Sequence, residues 1–211
     1  MDDRAEAEAY AAADFREVNE AFVERLLGLA GPREEQYVLD LGTGPADIPI
    51  RVMRRRPYWR VTAVDSSQAM VDIAAKAVAE AGLSGLIGLI VSDVKSLPVP
   101  SSEFDVVFSN AALHHVTDAD GFWTEVQRVA RPGAVVFVRD LARPCSVADA
   151  QRIVDLYAAN ESDLLRAEFV RSLLASYTPE EVRLQLEAAG LERLQVVMAS
   201  DRHLDVFGRL P

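Results

Sequence analysis

The chain has 211 residues, of which 50% are hydrophobic and 26% charged, so it suits one globular domain and excludes a disordered or fibrous protein. Its formal net charge of −11 disfavours nucleic acids and anionic membranes as partners, because both attract clusters of Lys and Arg. The single cysteine, Cys145, excludes an intrachain disulfide, and the acidic N-terminal residues together with the lack of a long apolar run predict a cytoplasmic protein that does not insert into membranes.

The first part of the chain combines an amphipathic helix, a strand and a glycine-rich turn. Residues 4–29 are rich in Ala and Glu and carry apolar side chains at helical spacing, and a Gly-Pro pair at 31–32 stops the pattern. We expect residues 1–31 to form an N-terminal helical cap. An apolar strand over 37–41 follows, and the turn GTGP over 42–45 closes it.

Helices and strands then alternate along the chain. The apolar patterns and stop signals predict, in order, helix 46–57, strand 59–65, helix 67–81, strands 87–92 and 104–110, helix 118–130 and strand 134–140. Continuous apolar strands separated by helices indicate a parallel sheet that is covered on both faces. Residues 144–177 add helices after the fifth strand, and we expect them to form a substrate lid.

The C-terminal part departs from this alternation. A helix over 178–190 begins with Thr178 as its N-cap, and two strand-like segments, 194–198 and 204–208, follow it around a short polar turn. The sequence therefore predicts an α/β fold in a single domain over residues 1–211. We expect a doubly wound, seven-stranded, mostly parallel sheet with a C-terminal antiparallel hairpin and helices on both faces.

The glycines directly after the first strand mark a ligand site. Gly42 and Gly44 let the backbone turn sharply and approach a ligand closely at the carboxyl end of a strand. Asp65 ends the second strand, 21 residues after Gly44, where a carboxylate accepts both hydroxyls of a ribose; alternatively, it caps the helix that follows. Together these residues indicate a nucleoside-containing ligand, without separating NAD from S-adenosylmethionine (SAM).

Three features favour SAM over NAD. Pro45 lacks the backbone N–H that a pyrophosphate-binding turn needs, and Asp47 would lie close to phosphate, whereas the positive sulfonium of SAM tolerates nearby acids. No tyrosine has a Lys four residues later, so the Tyr-x-x-x-Lys pair of short-chain dehydrogenases is absent. The chain also lacks room for the separate substrate domain of long dehydrogenases. A nicotinamide oxidoreductase is therefore disfavoured.

At this point the sequence resembles the class I SAM-dependent methyltransferases, over nearly the whole chain from residue 37 to residue 208. The matching segments are VLDLGTG (38–44), VDSSQAM (64–70), SDVKSLP (92–98), FDVVFSN (104–110) and EVQRVARPG (125–133). Each segment alone is modestly specific, but five in order at the spacing of the family are strong. The resemblance implies SAM as the cofactor and S-adenosylhomocysteine as its product.

The resemblance also implies which residues hold the cofactor. Those expected to line its methionine part are Asp40, Gly42, Thr43 and Gly44. Those expected at the nucleoside and the sulfonium are Asp65 on the ribose, Ser66 or Met70 beside the adenine, Asp93 on the adenine amino group with Val94 next to it, and Asn110 at the sulfonium end. Met70 also suits an ordinary core position, and Asp93 a turn. The sequence departs from the family at Ala46, which stands where the third glycine is usual and leaves the loop geometry open.

A methyl acceptor that carries a proton also needs a base. His114 and His115 follow the fourth strand at the carboxyl edge of the sheet, and the ordinary pKa of about 6.5 of a histidine suits a base near neutral pH. Because the two are adjacent, only one of them can face the pocket; alternatively, His115 packs against the following turn. The spacing of the three histidines is not that of a zinc site, and Asp140 lacks supporting acids, so we expect no metal.

The sequence leaves the acceptor open. The motif around 113–115 is similar to that of small-molecule methyltransferases, which implies transfer of a methyl group to a small-molecule acceptor by in-line displacement. Residues outside the shared motifs are expected to recognise the acceptor: Tyr10, Phe15, Tyr157, Arg166 and the segment 139–144, where Arg143 pairs with a substrate carboxylate or forms a surface salt bridge. A non-catalytic SAM-binding sensor or partner subunit is the alternative, followed by an RNA or protein methyltransferase. A homodimer is compatible with the sequence.

Overall fold

The computed structural model describes residues 4–13 and 15–211. The helices are α1 (Arg4–Ala12), α2 (Arg16–Ala30), α3 (Asp47–Arg55), α4 (Gln68–Glu80), α5 (Ala119–Val129), α6 (Val147–Tyr157), α7 (Asp163–Ala175) and α8 (Pro179–Ala188). The strands are β1 (Tyr37–Leu41), β2 (Arg60–Asp65), β3 (Ile87–Val91), β4 (Phe104–Asn110), β5 (Ala130–Leu141), β6 (Gln195–Met198) and β7 (His203–Arg209). Within these residues, no helix is both long and apolar enough to cross a membrane.

The strands form one seven-stranded sheet in the order β3-β2-β1-β4-β5-β7-β6. β1 pairs in parallel with both β2 and β4, and β7 is antiparallel to both of its neighbours, β5 and β6. The predicted fold class is therefore confirmed, including the antiparallel pair at the end of the chain. The strand order reverses between β1 and β4, and this switch point opens a crevice at the carboxyl edge of the sheet.

Each face of the sheet is covered by its own apolar core. On one face α2, α3 and α4 bury side chains such as Phe22 and Trp59 against β2, β4 and β5, and the Phe22 and Phe137 rings stack 4.6 Å apart. On the other face α5 and α8 bury Trp123 and Val182. Burying one such large side chain contributes about 1.5–3 kcal/mol. The two cores fix the sheet rigidly beneath its carboxyl edge.

Two predicted elements differ from those observed. The single helix expected over 4–29 was wrong: α1 ends at Ala12 and α2 begins at Arg16, because α2 packs on the face of the sheet while α1 contacts α4 near its carboxyl edge. Residues 1–3 and 14 of the predicted cap lie outside the described residues. β5 begins at residue 130 rather than 134, since Ala130 pairs with Phe104 ahead of an irregularity in the ladder.

The helices after β5 form a separate small layer. α6 and α7 contact each other and bury Val154 and Leu173 together with Leu141 at the end of β5. α7 also contacts the single turn of 3-10 helix at Leu113–His115, which follows β4. These two helices therefore cover part of the carboxyl edge, next to the predicted base.

Candidate active site

The turn after β1 brings backbone close to neighbouring strands and loops. The backbone N–H groups of Gly42 and Thr43 both donate to the carbonyl oxygen of Val64, at 2.8 and 2.9 Å. Gly42 has φ of 77°, and a Cβ at this position would lie 2.4 Å from Cβ of Ala112. Only glycine fits this combination of a left-handed backbone and a close approach. Ala46 adopts φ of 65° although it is not glycine, so the loop keeps its left-handed turn despite the departure from the family pattern.

Asp40 and Thr43 place unsatisfied polar atoms in this turn. Asp40 is 2% exposed, and neither its Oδ2 atom nor Oγ1 of Thr43 has a hydrogen-bond partner among the described residues. Burial raises the pKa of Asp40 from 3.8 to about 7, and the negative charge of Asp65 acts in the same direction. Buried polar atoms without partners in the protein are rare in folded proteins, and these two suit contact with a polar group of a ligand.

Asp65 connects the turn after β1 to the start of α4. Its Oδ2 accepts from the backbone N–H of Gly44 at 2.8 Å, and its Oδ1 accepts from the backbone N–H of Ser67 at 2.9 Å. The N-cap of α4 is Ser67, whose hydroxyl accepts from the backbone N–H of Met70. The alternative of Asp65 as the N-cap is therefore wrong. Each carboxylate oxygen keeps a further lone pair for a ligand hydroxyl.

The residues expected at the adenine lie around the ends of β2 and β3. Ser66 is exposed and Met70 is buried at the first turn of α4, while Val94 packs partly buried against the core. Asp93 is more than half exposed, and its carboxylate accepts from the backbone N–H of Lys95 and pairs with Nζ of Lys95, both at 2.9 Å. The contact with Lys95 holds the pKa of Asp93 below its usual value. The turn-forming role of Asp93 is thus present in the structure.

The opposite half of the edge carries a buried histidine–carboxylate pair. Nδ1 of His114 lies 2.6 Å from Oδ1 of Asp140, and the two side chains are only 4% and 3% exposed. The Asp140 carboxylate also accepts from the backbone N–H groups of His114 at 3.2 Å and Leu141 at 2.6 Å. Asn110, half-buried at the end of β4, lies between this pair and the turn after β1 in the strand order.

His115 and Tyr10 flank this pair. The rings of His114 and His115 are 3.9 Å apart. Partial burial, followed by the neighbouring His114, lowers the pKa of His115 to about 4. Tyr10 on α1 lies over the turn after β1, with Cε1 4.0 Å from the position of a Cβ on Gly44. Burial, with the charges of Asp140 and Asp65, raises the pKa of Tyr10 to about 12, so its phenol stays neutral between the two carboxylates.

The structure arranges the predicted site residues as a row along the carboxyl edge. Taken in strand order, the row contains Asp93 after β3, Asp65 at the end of β2, the turn over 42–46 after β1, and Asn110 with the histidines after β4. Asp140 at the end of β5 completes the row, although no sequence pattern paired it with His114. Their contact depends on the β4–β5 register, in which Asn110 pairs with Arg139.

Two charged residues considered from the sequence are engaged elsewhere. Asp47 accepts from the side-chain amide of Asn19 on α2 at 2.8 Å and from Nε of Arg51 at 2.7 Å. Arg143 forms an ion pair with Glu181 at the start of α8. The surface salt bridge is therefore the alternative that the structure supports for Arg143, and Asp47 helps to hold α2 against α3.

Known proteins are similar to this chain in sequence and in fold. Residues 39–138 match the family described as "Methyltransferase domain". A ubiquinone/menaquinone biosynthesis C-methyltransferase of Idiomarina loihiensis is 27% identical, in a match that covers 78% of this chain and 70% of that protein. A malonyl-[acyl-carrier protein] O-methyltransferase of Serratia marcescens is 33% identical over 56% of this chain and 44% of its own length. The crystal structure of a SAM-dependent methyltransferase from Aquifex aeolicus superimposes with a TM-score of 0.74 at 21% identity, covering 99% of both chains.

The switch-point crevice, with its glycine turn and carboxylates at successive strand ends, defines the class of α/β proteins that bind a nucleoside-containing ligand at this edge. Within that class, the match of residues 39–138 to a methyltransferase domain and the related proteins agree with the class I SAM-dependent methyltransferases that the motifs resemble. SAM is the cofactor that this similarity implies.

Proposed function

We propose that the chain transfers a methyl group from SAM to a small-molecule acceptor. The observation that carries this proposal is the pair of unsatisfied atoms, Asp40 Oδ2 and Thr43 Oγ1, in a narrow glycine turn. The methionine part of SAM carries an ammonium group and a sulfonium, and these positive charges suit a buried carboxylate that lacks a partner. The residues present therefore fit the cofactor.

Each predicted cofactor residue has a distinct task in this proposal. Asp40, Thr43 and the backbone at Gly42 and Gly44 hold the methionine end. Asp65 accepts from the ribose hydroxyls with its remaining lone pairs while it keeps the turn in place through Gly44. On the adenine side we propose Ser66, Met70, Asp93 and Val94, with Asn110 near the sulfonium.

Methyl transfer requires alignment more than activation. SAM, when bound, supplies an electrophilic methyl group with a good leaving group, so the protein has to hold the acceptor in line with it and exclude water. Tyr10 covers the turn after β1, and α7 contacts the 3-10 turn that carries the histidines. We propose that α1 and the α6–α7 layer enclose the acceptor, and that the acceptor is small because these helices cover the edge.

The two relatives described above agree with a small acceptor in different ways. One is named as a C-methyltransferase of quinone biosynthesis and the other as an O-methyltransferase of a malonyl group on a carrier protein. A carbon acceptor or a hydroxyl oxygen loses a proton on methylation, whereas the carboxylate oxygen of a malonyl group is already ionised near neutral pH. We therefore propose His114 and His115 as the catalytic region of this chain, because one of the two provides an imidazole base at the same edge for an acceptor that carries a proton.

Calorimetric titration with SAM and S-adenosylhomocysteine tests cofactor binding. We expect micromolar affinity for both ligands. We expect Asp65→Ala to lower this affinity by about 100-fold or more, because the Asp65 carboxylate both holds the turn and accepts hydrogen bonds from the ribose. Asp72→Ala, which removes an exposed acid from α4, serves as the control and should bind normally. Absence of any heat of binding to the wild-type protein would disprove the proposed function.

Cofactor binding should also depend on pH through Asp40. Because burial raises its pKa to about 7, this carboxyl is protonated below that pH and ionised above it. A positively charged ligand favours the ionised form, so the affinity for SAM should rise about tenfold per pH unit between pH 5.5 and 7 and then level off. Calorimetry at pH 6 in two buffers of different ionisation enthalpy should detect release of a proton on binding. An affinity that does not vary between pH 5.5 and 8 would contradict this assignment.

A further inference from the structure

We propose that His114 and Asp140 form a catalytic dyad in which Asp140 orients His114 as the base, so that the acceptor is a compound with an acidic O–H or C–H group. This inference rests on the proposed methyl transfer and specifies its acceptor class. Its basis is the 2.6 Å contact between Nδ1 of His114 and Oδ1 of Asp140, in a place where both side chains are almost completely buried.

The hydrogen bonds around Asp140 fix the proton on one nitrogen of His114. The Asp140 carboxylate receives the backbone N–H groups of His114 and Leu141 as well as the imidazole, so it is surrounded by donors. A carboxylate in this setting accepts from Nδ1–H and leaves Nε2 with a free lone pair. Among the residues that the structure describes, none forms a hydrogen bond to Nε2 of His114. The lone pair of Nε2 is thus not occupied by any described residue of the protein.

The dyad belongs to the cofactor crevice and not to a separate site. Tyr10 approaches Gly44 in the cofactor turn, and its phenol is close enough to both Asp65 and Asp140 for their charges to act on it. Asp140 and Asp65, the carboxylate proposed to bind the ribose, therefore both lie near Tyr10. The 3-10 turn that carries His114 is in turn covered by α7.

The neighbouring His115 has a different role. Its lowered pKa of about 4 leaves it neutral and weakly basic at neutral pH, and its ring packs 3.9 Å from that of His114. His115 is exposed, and no carboxylate forms a hydrogen bond to it among the described residues. Of the two histidines that the sequence singles out, His114 is the base because it alone has a carboxylate partner.

The chemical step is balanced without any further reactant. The O–H or C–H bond of the acceptor breaks, and its proton goes to Nε2 of His114 while the freed electron pair forms the bond to the methyl carbon. The carbon–sulfur bond breaks and sulfur keeps both electrons, so the positive charge moves from the sulfonium to the imidazolium. Asp140 stabilises that imidazolium, and the proton leaves to solvent when the product departs.

The first test needs no acceptor. In protein labelled with 15N-histidine and saturated with S-adenosylhomocysteine, NMR should show His114 protonated at Nδ1 and bare at Nε2 near pH 7.5. Asp140→Asn should disturb this tautomer, whereas Asp120→Asn, which removes an exposed acid nearby on α5, should not. A His114 ring protonated at Nε2 and bare at Nδ1 in the wild-type protein would overturn the dyad.

The second test uses methyl-labelled SAM with phenols of graded acidity, 1,3-diketones and primary amines. For weakly acidic phenols, Asp140→Asn and His114→Gln should each lower kcat about 10²- to 10⁴-fold with KM little changed, and the double variant should lose hardly more. For nitrophenols that are already ionised, the loss should shrink below about tenfold. Retained affinity for S-adenosylhomocysteine verifies that each variant is folded. If Asp140→Asn does not fold, His114→Gln alone tests the dyad.

The outcomes separate the two proposals. Normal kcat in both variants, or an equal loss with ionised and neutral phenols, would overturn the dyad while leaving methyl transfer intact. Labelled product from amines alone would overturn the acceptor class. Binding of SAM without labelled product from any compound of the panel would contradict the proposed function together with the dyad.

Discussion

Replacement of Asp40 by asparagine is expected to stabilise the folded protein at pH 8 and to abolish SAM binding. The pKa of this carboxyl rises from 3.8 to about 7 in the folded state, so between these values the folded chain binds the proton more tightly than the unfolded chain. Ionisation of the buried Asp40 therefore lowers the free energy of unfolding. This loss of stability is absent below about pH 4 and reaches its full size above about pH 7. An asparagine amide carries no charge at any pH and escapes this cost.

The difference should be visible in urea unfolding. We expect Asp40→Asn to gain about 2 kcal/mol more at pH 8 than at pH 5, since a displaced pKa is equivalent to about 1.4 kcal/mol per unit. Asp72→Asn, at an exposed position on α4, should show no such dependence on pH. A variant that is less stable than the wild type at pH 8 would refute the assignment. The expected result would mean that the buried Asp40 carboxylate lowers the stability of the folded protein and provides the negative charge that binds a cation.

Gly42→Ala is expected to destabilise the protein by about 2–5 kcal/mol and to weaken SAM binding strongly. The added methyl group would meet Cβ of Ala112 at 2.4 Å, and the backbone has φ of 77°, which is unfavourable for any residue with a Cβ. The left-handed backbone contributes about 1–2 kcal/mol and overpacking about 1–3 kcal/mol. The double variant Gly42→Ala with Ala112→Gly should recover only the stability that the single variant loses through overpacking.

The matched control for this experiment is Gly28→Ala. Gly28 is exposed within α2, and no atom lies within 4 Å of the position of an added Cβ. Alanine should therefore stabilise the protein by about 1 kcal/mol through its higher helix propensity. Thermal unfolding and calorimetry with S-adenosylhomocysteine would measure both effects. Equal stability of the Gly42→Ala single and double variants would show that the contact with Ala112 is not the cause.

Local sequence signals were sufficient for the order of the strands and for the place where the residues proposed to bind the cofactor meet. The glycine turn and Asp65 follow apolar strands directly, so their meeting at the carboxyl edge follows from parallel pairing alone. The break between α1 and α2 could not be predicted, because apolar residues at helical spacing continue on both sides of it and neither Gly nor Pro lies between them. Packing on the sheet decides where α2 begins.

The acceptor half of the site depends on contacts that no local pattern encodes. His114 and Asp140 are 26 residues apart, and they meet only through the register of β4 against β5 and the 3-10 turn after β4. Tyr10 reaches Gly44 because α1 is separate from α2. The continuous helical pattern of the sequence did not indicate this separation. The pairing of Asp93 with Lys95, in contrast, spans two residues and is a contact of the kind that sequence can indicate.

The position of β7 inside the sheet has a consequence for the order of folding. β6 precedes β7 in the chain but pairs only with β7, which in turn pairs with β5 across about 60 or more residues of sequence, as between Asp140 and Leu204. β6 therefore cannot join the sheet until β7 has docked. Because the carboxyl end of β5 carries Asp140, docking of β7 also completes the support of the dyad, and binding competence should appear late in refolding, after most helices have formed.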